Sequence, residues 1–156
     1  MQRFIGLVVI GCAANLSFVQ RVQAAWVQAE NRCQVWVQVQ EEGERVTWSG
    51  RCENGFAEGV GVLQGYQAKR PTDRYDGEVR NGKPHGYGVL TRRNGERYEG
   101  QWRDGKADGL GHITLKSGAS YSLIWLNGCA KLSAETVIAV GTNASTCRTQ
   151  NQAAPR

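Results

Sequence analysis

The sequence predicts an all-β chain built from tandem antiparallel β-hairpins. Three observations predict it. One pattern is written twice in succession, over residues 75–97 and 98–120, with a period of 23 residues. A period of this length marks a repeat array. Two-residue turn pairs recur at matching offsets, Asn81-Gly82 and Asp104-Gly105, and second turn pairs, Asn94-Gly95 and Ser117-Gly118, close each copy. Gly and Asn recur too often for any run of about 10 residues to hold a helix.

Within the second copy, Tyr98, Gly100 and Trp102 alternate with Glu99, Gln101 and Arg103. That period of two gives one apolar and one solvated face. Asp104-Gly105 is a hairpin signal because such turns need positive φ, which Gly adopts without steric cost. Residues 109–115 read as the return strand. The first copy repeats the scheme with Tyr75 and Gly77, and the pairs Gly86/Gly88 and Gly109/Gly111 fall at one offset. Alternate glycines weaken a strand, so they mark close approach by something bulky. The tyrosines and Trp102 of the array are the expected bulk.

Aromatic, turn pair and Gly-x-Gly at fixed offsets resemble the MORN repeat, whose consensus is roughly YxGxWxNGxxHGxGxxxxxxGxxY. The resemblance covers about half the chain. It implies an elongated, single-layer, twisted sheet of stacked hairpins. It also implies binding or scaffolding, and it carries no catalytic residue to transfer.

The chain starts with a targeting pattern. Met1-Gln2-Arg3 is a short basic start, residues 4–19 are mostly apolar, and Val22-Gln23-Ala24 fits the small-residue rule for signal-peptidase cleavage. Residues 1–24 therefore read as a signal peptide, with a periplasmic or secreted mature chain. Val9-Ile10-Gly11-Cys12 supports a second reading, a lipoprotein anchored through Cys12. An uncleaved span is disfavoured, because Asn15, Ser17 and Gln20 interrupt the run before the ~20 apolar residues it needs.

Export leaves Cys33, Cys52, Cys129 and Cys147 for disulfides in an oxidising compartment. Four hairpins at ~4.8 Å per strand separate the array's ends by roughly 35 Å, whereas a disulfide needs Cα atoms within ~7 Å. The expected pairs are Cys33–Cys52 and Cys129–Cys147. Residues 35–40 alternate as a strand, residues 41–44 read as a loop, and residues 45–52 read as its antiparallel return. That register sets Cys33 opposite Cys52, Val37 opposite Trp48 and Val35 opposite Gly50. Residues 25–47 are thus expected to form an N-terminal capping strand. No CxxC spacing supports zinc.

Residues 48–63 form a degenerate copy, with Trp48 in the tyrosine position, Asn54-Gly55 at the turn and Gly59/Gly61 as the glycine pair. Residues 64–74 are four longer than the matching stretch of the next copy. Lys69-Arg70-Pro71 lies in this insertion, which is expected to loop out, either as a tolerated surface insertion or as a basic partner contact. A fourth copy starts at Tyr121, with Trp125 and Asn127-Gly128 in place, but Leu123 replaces the first glycine, and Leu132 and Ala134 replace the pair. Loss of pattern is expected of a terminal cap. The array therefore spans 48–134, with starts at 48, 75, 98 and 121, and residues 135–156 form a C-terminal cap and tail. Residues 135–140 read equally as strand or short helix, and residues 151–156 as a frayed tail. Asn143-Ala144-Ser145 is a formal glycosylation sequon.

The formal charge is +5, and removal of residues 1–24 takes Arg3 and Arg21 and no acid, leaving +3. Charges of both signs interleave along the strands, as on a solvated sheet face. Clustered Lys/Arg beside stacking aromatics is missing, so nucleic acid is not an expected partner. No GxSxG, HExxH or phosphate-loop motif occurs, and no motif asks for a cofactor or metal. His85 sits where the MORN consensus often has His, and His112 has no partner nearby in sequence. Neither is expected to be catalytic. Tyr75, Tyr87, Tyr98, Trp102 and Tyr121, with Lys69 and Arg70, are the candidate partner-binding residues. A one-layer sheet cannot bury both faces by itself, so its aromatic face must be covered by caps or offered to a partner.

Three functions are compatible with these features. The first is a non-enzymatic, exported protein-binding module. Its sharpest form is an immunity protein neutralising a secreted antibacterial phospholipase-type toxin, implied by resemblance to exported bacterial MORN-type proteins. The second is attachment to anionic lipid at a membrane surface. The third is a structural scaffold or homodimer that uses an exposed sheet edge.

Overall fold

A computed structural model describes residues 23–39 and 43–152. The expected signal sequence through Val22, the lipobox at Cys12, residue 40 of the expected strand, residues 41–42 of the expected loop and residues 153–156 lie outside the described residues. The strands are β1 Gln23–Gln28, β2 Gln34–Val39, β3 Arg45–Trp48, β4 Arg51–Glu53, β5 Phe56–Gln67, β6 Arg70–Arg80, β7 Lys83–Thr91, β8 Arg97–Arg103, β9 Lys106–Thr114, β10 Ser120–Trp125, β11 Cys129–Lys131 and β12 Val137–Ala139. One helix follows, α1 Ala144–Gln152. The order β1-β2-β5-β6-β7-β8-β9-β10, with β3 and β4 both paired to β5, makes one elongated sheet of hairpins, and β11 and β12 form a separate pair.

The repeats place equivalent residues in rows across the sheet. One row runs Trp48, Leu63, Tyr75, Leu90, Tyr98, Ile113 and Tyr121, each paired with the next. Aromatic and aliphatic side chains thus alternate on one face, here called the inner face. Such cross-strand pairs are the unit of sheet stabilisation. Beside it runs a glycine row, Gly61, Gly77, Gly88, Gly100 and Gly111, which ends at Leu123.

The two glycines of each Gly-x-Gly serve different ends. The first, at 59, 86 and 109, has φ of 84°, 58° and 106°, where a side chain would be strained. The second lies under a ring. A Cβ on Gly61 would meet Trp48 at 2.6 Å, while Cβ atoms on Gly88 and Gly111 would collide with the rings of Tyr75 and Tyr98. Each ring is pinned at its tip by the carbonyl three residues on. Trp48 Nε1 donates to Arg51 O (2.9 Å), Tyr75 Oη to Glu78 O (2.7 Å) and Tyr98 Oη to Gln101 O (2.9 Å). The expectation that aromatics fill the glycine gaps is met, and the bulk comes from the same repeat.

The hairpin turns stack into a second ladder. Gly82 N–H donates to Ala57 O, Gly105 N–H to Pro84 O and Gly128 N–H to Ala107 O, at 2.7–2.9 Å. Asn81, Asp104 and Asn127 precede these glycines with φ near 50°, the conformation that selects Asn and Asp at a type I′ turn.

Both disulfides form as expected, Cys33–Cys52 and Cys129–Cys147, with Cα–Cα separations of 5.6 and 5.4 Å. The expected register of residues 35–40 against 45–52 does not form. Trp48 belongs to the repeat row, so β3 pairs with β5 through Trp48↔Leu63. Strand β2 pairs instead with β1, from Gln23↔Val39 to Gln28↔Gln34. It then crosses the row of turns, with Gln34 N–H on Gly55 O (2.8 Å) and Trp36 N–H on Gly82 O (2.7 Å). The N-terminal cap is therefore a hairpin rather than a single strand. Cleavage after Ala24 would spare the pairs from Ala25↔Val37 onward.

The 64–74 insertion does not loop out. It lengthens the β5–β6 hairpin to a two-residue turn at Ala68-Lys69, with φ of 47° and 68°. Extra residues shared between two strands cost less unpaired backbone than a bulging loop. At the other end the array stops earlier than 134. Residues from Cys129 onward leave the sheet to form β11 and β12. Residues 137–139 are strand, and the expected tail contributes to α1. Asn143 caps this helix, its Oδ1 accepting from Thr146 N–H at 2.8 Å. The sequon asparagine thus has a structural task.

Candidate binding surface

The inner face is closed. Val35 and Ala29 from the N-terminal cap and Ala130 and Val140 from the C-terminal cap share one apolar cluster with Tyr75, Tyr98, Trp102 and Trp125. A small cavity of about 100 Å³ lies between Trp36 of the first cap, Gly141 of the second, and Tyr75 and Trp102 of the sheet. Trp102 is edge-on to Tyr75 and Tyr98 (5.3 and 5.1 Å between centroids), and Tyr98 is edge-on to Trp125 at 5.0 Å. Trp102 Nε1 donates to Gly88 O at 3.1 Å. Burial raises the phenol pKa of both Tyr75 and Tyr98 above the ordinary tyrosine value.

This placement corrects three of the candidate contact residues. Tyr75, Tyr98 and Trp102 are buried core and present no surface to a partner. A Tyr or Trp at these positions anchors the glycine row and cannot also reach outward. Tyr121 is half-buried at the last row, where Leu123 occupies the place a ring would need. Lys69 and Arg70 are exposed at the tip of the β5–β6 hairpin, away from the other candidates. His85 contributes its backbone carbonyl to the Tyr75 hydroxyl (3.4 Å). The His112 ring nitrogen Nδ1 lies 3.1 Å from Ser122 Oγ. Among the described residues no cluster of His, Cys, Asp and Glu could hold a metal.

The outer face is different. Tyr87 is 59% exposed, and Val60 (77%), Leu110 (67%) and Ile124 (76%) share that face. Val60, Tyr87 and Leu110 are the middle residues of the three Gly-x-Gly units, and Ile124 pairs with Leu110. The repeat thus projects one large apolar side chain per hairpin onto the open side. Sequence reasoning singled out only the aromatic member of this set, although the recurring apolar middle residue was visible. Polar side chains stand between the members of this set: Glu78 pairs with Val60 and Gln101 with Tyr87, so only Leu110 and Ile124 are direct neighbours. Tyr87 Oη donates to Glu99 Oε1 (2.7 Å), which lowers the Glu99 carboxyl pKa and raises that of the phenol. Arg97 also pairs with Glu99, and Arg74 pairs with Asp76 at 3.0 Å. Exposed pairs of this kind add little stability. The hydrogen bond to Glu99 orients the Tyr87 hydroxyl.

A periodic sheet with one sealed face, and one exposed apolar side chain per hairpin on the other, defines a repeat-type binding or scaffold module. The family comparison agrees: residues 75–97 and 98–120 each match the MORN repeat model, so the chain carries two MORN repeats. Residues 48–63 and 121–128 occupy equivalent rows on either side of them. No curated protein matches the chain.

Proposed function

We propose that this protein is a non-enzymatic, exported binding module whose outer face grips a protein partner. In its sharpest form it is an immunity protein that neutralises a secreted antibacterial phospholipase-type toxin in the periplasm. The observation that carries the reading is the recurrence of one exposed apolar side chain per hairpin, Val60, Tyr87 and Leu110, with Ile124 beside Leu110, on the one face left open. Exposed apolar patches on otherwise polar surfaces mark interaction sites, and Tyr is enriched among residues that dominate binding energy. Two disulfides suit an oxidising compartment and support export.

The test is a titration of the purified protein against the phospholipase-type toxin encoded beside its gene. Stoichiometric loss of lipase activity is expected. The double variant Tyr87→Ser/Leu110→Ser should fold normally yet bind about 30-fold more weakly or worse, as for loss of a hot spot of ~2 kcal/mol. Undiminished toxin activity at excess protein would end the immunity form of the proposal. Full inhibition by the double variant would move the binding face elsewhere. Flotation with anionic vesicles would instead favour the membrane-surface alternative.

A further inference from the structure

Strand β10 is half of a hairpin. After each earlier turn pair the chain returns along the strand it has just left. Strand β7 thus pairs with β6 and β9 with β8, over Lys83–Thr91 and Lys106–Thr114. After Asn127-Gly128 the turn has the same positive φ values, 50° and 87°. The return strand nevertheless departs after a single bridge, Leu126↔Cys129. Residues 129–131 pair with β12 instead, and the Cys129–Cys147 bond ties them to α1. Among the described residues, β10 therefore ends the sheet, and Ser120–Ile124 make no backbone pairing except with β9.

This edge lacks the usual protection. Natural edge strands are guarded by charge, proline or a bulge. Residues 117–130 carry no charge and no proline. Pairing of β9 with β10 is unbroken, whereas β5–β6, β6–β7 and β8–β9 each contain a register shift.

The geometry points to a second copy of this chain as the strand that completes β10, paired antiparallel about a two-fold axis at Ser122. Residues directly opposite in an antiparallel pair share a face. That register sets Tyr121 against the second copy's Leu123, and Leu123 against the second copy's Tyr121. The aromatic–aliphatic row that runs through the sheet would thereby continue across the interface. Ile124 faces the second copy's Ser120 on the outer face. No like charges meet, because neither strand carries any. A two-fold contact closes on itself, so the product is a dimer rather than a filament. This inference does not rest on the partner reading, since it uses the sheet edge; Ile124 alone is common to both surfaces.

Sedimentation equilibrium of the disulfide-intact protein over rising concentration tests it. A reversible monomer–dimer equilibrium is expected. Ser122 is exposed, so Ser122→Lys and Ser122→Glu should keep the parent's unfolding midpoint. Each variant alone should dimerise about tenfold more weakly, because like charges meet at the axis. An equimolar mixture of the two should recover or exceed the parent's affinity. A monomer at every concentration, a dimer indifferent to both substitutions, or open-ended filaments would overturn the inference. A mixture no tighter than either variant alone would do the same.

Discussion

Tyr98→Ala is expected to lower the stability of the protein by about 3–5 kcal/mol, the range for truncating a buried large aromatic. Tyr98 is 2% exposed and touches Trp102 and Trp125 edge-on. Its ring also fills the space above Gly111, and its hydroxyl is bound to Gln101 O. The companion substitution Gly111→Ala should cost about 1–3 kcal/mol by overpacking, because the three atoms nearest its new Cβ all belong to the Tyr98 ring. In the Tyr98→Ala background that obstacle is gone. Gly111→Ala should then be near neutral, since a strand position gains from losing glycine's backbone freedom. Urea unfolding of the four proteins measures the coupling. A favourable interaction of about 1 kcal/mol or more is expected, and additive effects would show that the ring and the glycine do not form one unit.

Loss of both disulfides should have an effect of similar or greater size. Cys33–Cys52 and Cys129–Cys147 close loops with sequence separations of 19 and 18. In the chain-entropy model each contributes about 3 kcal/mol. Together they approach the whole stability of an ordinary domain. Cys33–Cys52 ties the first cap to β4, Cys129–Cys147 ties β11 to α1 within the second cap, and the caps supply Val35, Ala130 and Val140 to the core. The Cys33→Ser/Cys52→Ser pair should therefore lower the thermal midpoint, and removing all four cysteines should leave a chain that no longer unfolds cooperatively near room temperature. Calorimetry of the three proteins checks this. An unchanged midpoint without either bond would mean that the sheet holds its caps by packing alone.

The repeat was legible because its reasons are local. A turn needs positive φ, a ring needs a glycine beneath it, and both recur at fixed offsets that a sequence displays. Trp48 was readable as a tyrosine stand-in for the same reason, and both cysteine pairs followed from the length of the array. The caps were not legible in this way. Val35-Trp36-Val37 alternates like any strand, and nothing in those residues says that β2 pairs with β1 and crosses the turns. That choice is made at a distance, once β3 is claimed by Leu63 and its neighbours. Helix α1 was missed because residues 144–152 are mostly polar. Its sequence signal, Asn143 ahead of Thr146, coincides with the sequon Asn143-Ala144-Ser145. The division of aromatics between core and surface also lay beyond local reading. Tyr75 and Tyr87 are both strand tyrosines, and only the pairing register sends one inward and the other outward.

That division is the centre of the account, because it decides which residues a partner can reach. Hydroxyl-radical footprinting of the native protein, read residue by residue by mass spectrometry, measures it directly. Tyr87, Leu110 and Ile124 are expected to oxidise readily, while Tyr75, Tyr98, Trp102 and Trp125 stay protected until the protein unfolds. Oxidation of Tyr98 and Trp102 at the rate of Tyr87 would contradict the account, because the inner face would then be open and the caps would not cover it.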